Sequence, residues 1–234
     1  MSYLTFREQV NINQNRFDER YASHFKGFSL FEKISLALCK AGVLSKKEYA
    51  ESVEVLRILQ RFIGRKREIT LYDICGGHGL VSILLYALSD SIIKVCIIDQ
   101  KKPDSYQKIM ACIQSVFSKM SLNIDYIQDD YRLITYTESA MLLGIHACGI
   151  RTDDIINIAI KNSFPGAVLP CCYKQKCLPD NLKKFQDHYK LKDLVDFSRI
   201  NRLQSCQFKV HLRTISQKVT PMNKLFVFYP EKTY

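Results

Sequence analysis

The sequence predicts an α/β fold: a mostly parallel sheet covered by helices, with a helical extension ahead of it. Three observations carry that prediction. From Thr70 onward short apolar runs alternate with stretches of helical spacing. The 68 residues before them carry helical spacing and no clear strand alternation. The chain then ends on two alternating segments, 207–215 and 224–229, which read as a closing antiparallel pair. At 234 residues there is room for one such sheet and an extension but not for two large domains, which divides the chain at 1–68 and 69–234.

Within the extension, 28–39 reads as an apolar-rich helix. Ser45 opens a second, with Glu48 three residues on to complete a capping box, and Val55, Leu56, Leu59, Phe62 and Ile63 as its buried stripe. Gly64 ends it, followed by the basic run Arg65-Lys66-Arg67. The extension is expected to pack on the core or over a substrate cleft. Leu71, Tyr72 and Ile74 mark the first strand of the sheet, and Leu80, Ile83, Leu84, Ala87 and Leu88 the helix behind it. Strands follow at 95–98, 122–127, 141–145 and 167–169, with helices at 105–120 and from a Thr152-Asp153 cap to about 161. A basic helical stretch, 182–203, leads to the final pair. Neither an internal repeat nor a low-complexity segment is present.

Composition narrows the function. No apolar run approaches the roughly 18 residues of a membrane span, and the first ten residues have no apolar segment of a secretory signal. Nine cysteines without such a signal predict reduced thiols in a cytoplasmic protein rather than a disulfide framework. The net charge of +11 is uneven: +5 over residues 1–70, −2 over 71–170 and +8 over 171–234. An acidic centre with basic flanks suits a polyanionic substrate, nucleic acid first, although a solvated basic surface would carry the same charge.

The most informative stretch lies between the first strand and its helix, Asp73-Ile74-Cys75-Gly76-Gly77-His78-Gly79. A strand that turns sharply into a helix through glycines brings backbone close to a ligand and offers it the free N–H groups of the helix N-terminus. Asp99 closes the second strand about 20 residues later, where a carboxylate can accept hydrogen bonds from ribose hydroxyls. The Gly-x-Gly-x-x-Gly spacing of a dinucleotide site is absent. Asp73, Cys75, Gly76, Gly77, His78, Gly79 and Asp99 together look like the binding half of a class I S-adenosylmethionine-dependent methyltransferase, with its Rossmann-like sheet. In that sheet the third strand ends near the adenine, so Asp129 or Asp130 would accept from its amino group.

Two further motifs sharpen the resemblance: Gly144-Ile145-His146-Ala147-Cys148-Gly149 followed by Thr152-Asp153, and Pro170-Cys171-Cys172-Tyr173. With the first turn, they resemble a methyltransferase domain group over about residues 69–175. It is shared by methyltransferase-like protein 25, the glutathione S-transferase C-terminal domain-containing protein and, more distantly, the tRNA 2′-O-methyltransferases with a CHHC finger. The resemblance implies S-adenosylmethionine as cofactor and leaves the substrate open. The group's first turn more often has lysine where His78 stands, and residues 1–68 contain no CHHC finger.

Methyl transfer is an in-line displacement that needs an oriented nucleophile and, for a hydroxyl, a group to take its proton. His146 is the candidate general base and cofactor neighbour, or else holds its loop through backbone hydrogen bonds. Tyr173 would orient the acceptor or stack on a base, or serve as a core aromatic. His78 would contact the methionine carboxylate or face solvent. Cys148, Cys171, Cys172 and Cys177 raise zinc as a rival, but adjacent cysteines fit Cys-x₂₋₄-Cys spacing poorly, so no metal is predicted. Covalent catalysis by a cysteine is a further option. The favoured function is an RNA methyltransferase acting on tRNA or rRNA; the alternative is a non-catalytic RNA- or protein-binding module on the same fold.

Overall fold

The computed structural model describes residues 2–64, 68–117 and 122–231. In chain order its elements are α1 (Ser2–Gln9), β1 (Arg16–Phe17), α2 (Leu30–Ala41), β2 (Leu44–Ser45), α3 (Lys46–Leu59), β3 (Ile69–Ile74), α4 (Leu80–Ala87), β4 (Ile92–Asp99), α5 (Asp104–Val116) and β5 (Ile124–Gln128). They continue as β6 (Ala140–Ile145), α6 (Ile150–Asn162), β7 (Gly166–Leu169), α7 (Asp180–Lys183), α8 (Leu191–Ser205), β8 (Phe208–Thr214) and β9 (Lys224–Pro230).

Seven strands form one sheet in the order β5-β4-β3-β6-β7-β9-β8. The pairs among β3 to β7 are parallel, and β9 runs antiparallel to both β7 and β8. This is the mixed seven-strand sheet of class I methyltransferases, preceded by helices. Its central strands are buried on both faces. Leu71, Val95, Ile97 and Leu143 point into one apolar cluster, and Tyr72, Cys96, Ile98 and Leu142 into the other, as a period of two requires.

The first cluster is shared with the N-terminal helices, so the extension and the sheet have one core. There α3 packs against α4 and α2 against α5. Phe17 stacks on the fully buried Tyr49 with ring centroids 4.0 Å apart, and the Tyr49 hydroxyl donates to Ser35. The predicted capping box is present: Ser45 Oγ accepts from Glu48 N–H, and the Glu48 carboxylate accepts from Ser45 N–H. Val55, Leu56 and Leu59 are buried as expected, whereas Phe62 and Ile63 lie past the end of α3 and are half-buried. One feature not expected from sequence is the two-residue antiparallel pair of β1 and β2.

Three expectations are corrected. First, α6 starts at Ile150 behind Gly149, so Thr152 and Asp153 stand inside its first turn instead of capping it. The Thr152 hydroxyl donates back to Ala147 O, and Asp153 is occupied by Arg199 and Arg202. Second, 182–203 is not one helix: α7 and α8 are separated by a turn in which Phe185 and Tyr189 are exposed and no apolar stripe continues. Third, two of the nine cysteines are not free thiols, because Cys148 and Cys171 are bonded to each other. The Arg65-Lys66-Arg67 run and the last residues of the 105–120 helix, from Ser118, lie outside the described residues.

Candidate active site

The sheet changes direction of winding between β3 and β6: later strands are added beyond β4 on one side and beyond β6 on the other. Ligands of open α/β sheets bind outside the carboxyl ends of strands at such a switch point. The glycine turn follows β3 and His146 follows β6, so both fall there. A cavity of about 190 Å³ opens between them, lined by Asp73, Cys75–His78, Leu80, Val81, Ile145 and His146, with Glu48, Glu51 and Ser52 of α3 on its far wall. A larger cavity of about 1300 Å³ opens at the other end of the sheet, beside the first residues of β3, β6 and β7. That is the wrong end for a ligand crevice of this architecture.

The turn needs its glycines for space. A Cβ on Gly76 would sit 2.8 Å from Asp73 Cγ, and one on Gly79, at φ +67°, 2.3 Å from Ile97 Cδ1. Cys75 holds φ +58° without being glycine, and so does His146 at +62°. Such conformations are costly for these residue types and gather at functional turns. Burial also pushes the Cys75 thiol up to about 11, so it stays protonated.

Two carboxylates frame the turn. Asp73 is buried; its Oδ2 accepts from Ser82 Oγ at 2.7 Å, and its Oδ1 has no hydrogen-bond partner among the described residues. Burial raises its pKa to about 7 against the pull of the Ser82 hydroxyl. Asp99 Oδ2 accepts from Gly77 N–H at 3.0 Å, and Oδ1 from Gln100 N–H at 2.7 Å. Each oxygen of Asp99 keeps acceptor capacity beyond those bonds. The Gly77 carbonyl accepts from the Tyr126 hydroxyl at 2.9 Å, which ties the turn to β5, two strands away.

His78 lines the cavity, with Nδ1 accepting from Leu80 N–H at 3.1 Å and Nε2 4.0 Å from a Glu48 oxygen. Burial lowers its pKa, Glu48 opposes this and His146 adds to it. His146 Nε2 is 3.2 Å from Glu51 Oε2. Burial raises the Glu51 carboxyl, but the hydrogen bond and charge of His146, with Thr220 and Lys47, outweigh that and hold it below the ordinary range. Glu51 is therefore an ionised acceptor. An ionised acceptor takes the Nε2–H and leaves Nδ1 as the basic nitrogen of His146.

Other sequence candidates lie outside this cavity. Asp129 accepts from Asp130 N–H, and Asp130 is engaged by the Arg132 guanidinium, which holds its carboxyl down to about 2. Tyr173 packs with Leu178, Leu194 and Val195, its ring 5.8 Å from the Arg199 guanidinium carbon. Glu51 and Ser52 were missed by sequence reasoning, and Glu48 was read only as a cap. The signal for Glu51 was its place one turn before Val55, an acidic residue on a buried stripe.

The arrangement fits S-adenosylmethionine on two counts: an unpartnered buried carboxylate oxygen that a cationic amine would satisfy, and glycines whose missing side chains keep the cradle open. Among the described residues no helix is long and apolar enough to cross a membrane.

Comparisons with known proteins bear on the family and the fold. A family described as a methyltransferase domain matches residues 46–176, more than half of the chain. The Glutathione S-transferase C-terminal domain-containing protein of Xenopus laevis is 32% identical over 107 residues, covering 44% of this chain and 16% of that protein. The chain thus spans a small part of that relative's length. Among solved structures, the S-adenosylmethionine-dependent methyltransferase SibL in its apo form aligns with 99% of this chain and 70% of its own, at 12% identity and a TM-score of 0.50. That likeness concerns the fold.

Proposed function

The chain belongs to the methyltransferase-domain family, whose cofactor is S-adenosylmethionine, and from that premise we propose that it methylates RNA, a tRNA or an rRNA, in the cytoplasm. One observation carries the choice of RNA. The segment 174–197, which follows β7 on the carboxyl-end side of the sheet, interleaves exposed Lys174, Lys176, Lys183, Lys184 and Lys190 with exposed Phe185, Tyr189 and Phe197. Cations that track phosphates and aromatic faces on which bases stack are what a single-stranded nucleic acid needs. The charge of +8 over residues 171–234 supports the same reading.

Asp73, Cys75–Gly79 and Asp99 would hold the cofactor, which when bound supplies an electrophilic methyl group on a sulfonium sulfur. Asp73 Oδ1 is open to an amine, and Asp99 to ribose hydroxyls. Of the two aspartates after β5, Asp130 is held by Arg132, so Asp129 is assigned to the adenine amino group. His146, oriented by Glu51, takes the proton of an acceptor hydroxyl at Nδ1, while the α3 wall restricts water. Tyr173, half-buried between the cysteine loop and α8, bounds the acceptor side.

The test is incubation of the full chain with methyl-labelled S-adenosylmethionine and size-fractionated tRNA and rRNA. Label in RNA that disappears in His146→Ala is the expected result. Salt-dependent RNA binding without transfer would replace the enzyme by the binding module.

A further inference from the structure

We propose that Cys148, Cys171 and Cys172 form a binding site for one thiolate-preferring divalent cation, zinc in the cell, with a fourth position open to solvent. Sequence spacing argued against a metal because two of the cysteines are adjacent. The fold removes that objection by bringing the third from a different strand end: Cys148 follows β6, and Cys171 and Cys172 follow β7, its parallel neighbour.

The three Sγ atoms all lie within 4.8 Å of one another, and Cys171 Sγ is 3.6 Å from Cys172 Sγ. Zinc–sulfur bonds of about 2.3 Å in tetrahedral geometry place ligand sulfurs about 3.8 Å apart; the Cys171–Cys172 pair stands near that separation, and the bonded Cys148 and Cys171 sulfurs reach it once they are reduced and move apart. The loop that carries Cys148 is held in place. The buried Arg199 donates to Gly149 O at 3.2 Å and pairs with Asp153 at 2.7 Å, and Thr152 ties back to Ala147 O, so the segment around Cys148 is fixed from both sides. Cys148 also stands just ahead of α6, a helix of 13 residues whose positive end favours a thiolate.

Cys148 and Cys171 are joined in the structure, so the site exists in the reduced protein; the oxidised pair cannot take a cation. Three thiol protons leave to solvent when the ion binds, and no electrons move. Among the described residues no fourth Cys, His, Asp or Glu joins the group, and Cys172 is exposed. Three protein ligands with an open position is the pattern of catalytic rather than structural zinc. Cys171 Sγ lies 3.9 Å from the His146 carbonyl oxygen, which puts the centre beside the candidate active site. A role at the acceptor atom rests on the methyl-transfer reading; cation binding does not, and is measured without cofactor or RNA.

The experiment uses the full chain, reduced and freed of metal under argon, titrated with cobalt(II) and then with zinc. One equivalent of cobalt should give thiolate charge-transfer absorption that zinc abolishes. Cys148→Ser and Cys172→Ser should each weaken binding by at least about 10-fold, the lower end of what loss of even an outer-shell partner costs, while Cys206→Ser, an exposed cysteine outside the group, leaves it unchanged. Circular dichroism checks that each variant is folded, and Cys172, being exposed, is the safest to replace. Reduced protein with all its thiols titratable that takes up neither ion, or a Cys172→Ser variant that binds as tightly as the parent, overturns the proposal and leaves a redox pair.

Discussion

Asp73 is a buried carboxyl whose titration couples to stability. Its folded pKa of about 7 lies above the ordinary value of 3.8, so the folded state holds the proton more tightly than the unfolded one. The stability this contributes is complete below about 4 and is lost as pH rises through about 7. Urea midpoints measured from pH 4.5 to 8 should therefore fall for the parent relative to Asp73→Asn, which lacks that slope. Parallel curves would mean the carboxyl is not buried as described. If S-adenosylmethionine sets its amine against Oδ1, it should bind more tightly as Asp73 ionises. Asp99→Ala removes charge-assisted acceptors worth about 1.5–3 kcal/mol, a loss of roughly 10- to 150-fold in affinity. Isothermal titration with S-adenosylmethionine and S-adenosylhomocysteine reads it, and unchanged binding would remove Asp99 from the site.

At the scale of elements, α3 does two jobs. Its capping box fixes where the helix begins, and the same register delivers Glu48, Glu51 and Ser52 to the cavity. Ser45→Ala should cost about 1 kcal/mol in chemical denaturation and also loosen the wall facing His146. A cost without any change in cofactor affinity would separate the two jobs. The turn from β3 to α4 is less forgiving. Gly79→Ala combines a positive φ with a Cβ 2.3 Å from Ile97, so the variant should melt well below the parent and bind no cofactor.

For the whole molecule, the uneven charge sets how RNA would be held. If the 174–197 segment tracks phosphates, Lys176→Ala with Lys184→Ala should flatten the dependence of log affinity on log salt by about 1.4, roughly 0.7 for each phosphate no longer neutralised. Tyr189→Ala should cost about 1–3 kcal/mol at any salt, as a stacking face does. Filter binding across a salt series distinguishes the two variants, and an unaltered slope would return the basic face to plain solvation.

Much of the fold was legible in sequence because its signals are local. Glycines that permit a tight turn, apolar runs with a period of two, and a serine three residues ahead of a glutamate each act within a few bonds. Asp73, the glycine turn and Asp99 could be read together because a strand–helix–strand unit has nearly fixed length. Neither the Glu51–His146 pair, 95 residues apart in sequence, nor the meeting of Cys148 with Cys171 and Cys172 has a local signature. Strand order decides the second, because β6 and β7 are parallel neighbours that end at the same edge of the sheet, and the packing of α3 over that edge decides the first. The start of α6 at Gly149 was likewise a tertiary outcome, since Arg199 and Arg202 claim the aspartate that local rules assigned to a cap. Sequence alone thus determined the fold class and the place of the glycine turn between the first strand of the sheet and its helix. Only the packed tertiary structure, by setting which strand ends are neighbours and which helix covers them, decided what faces them.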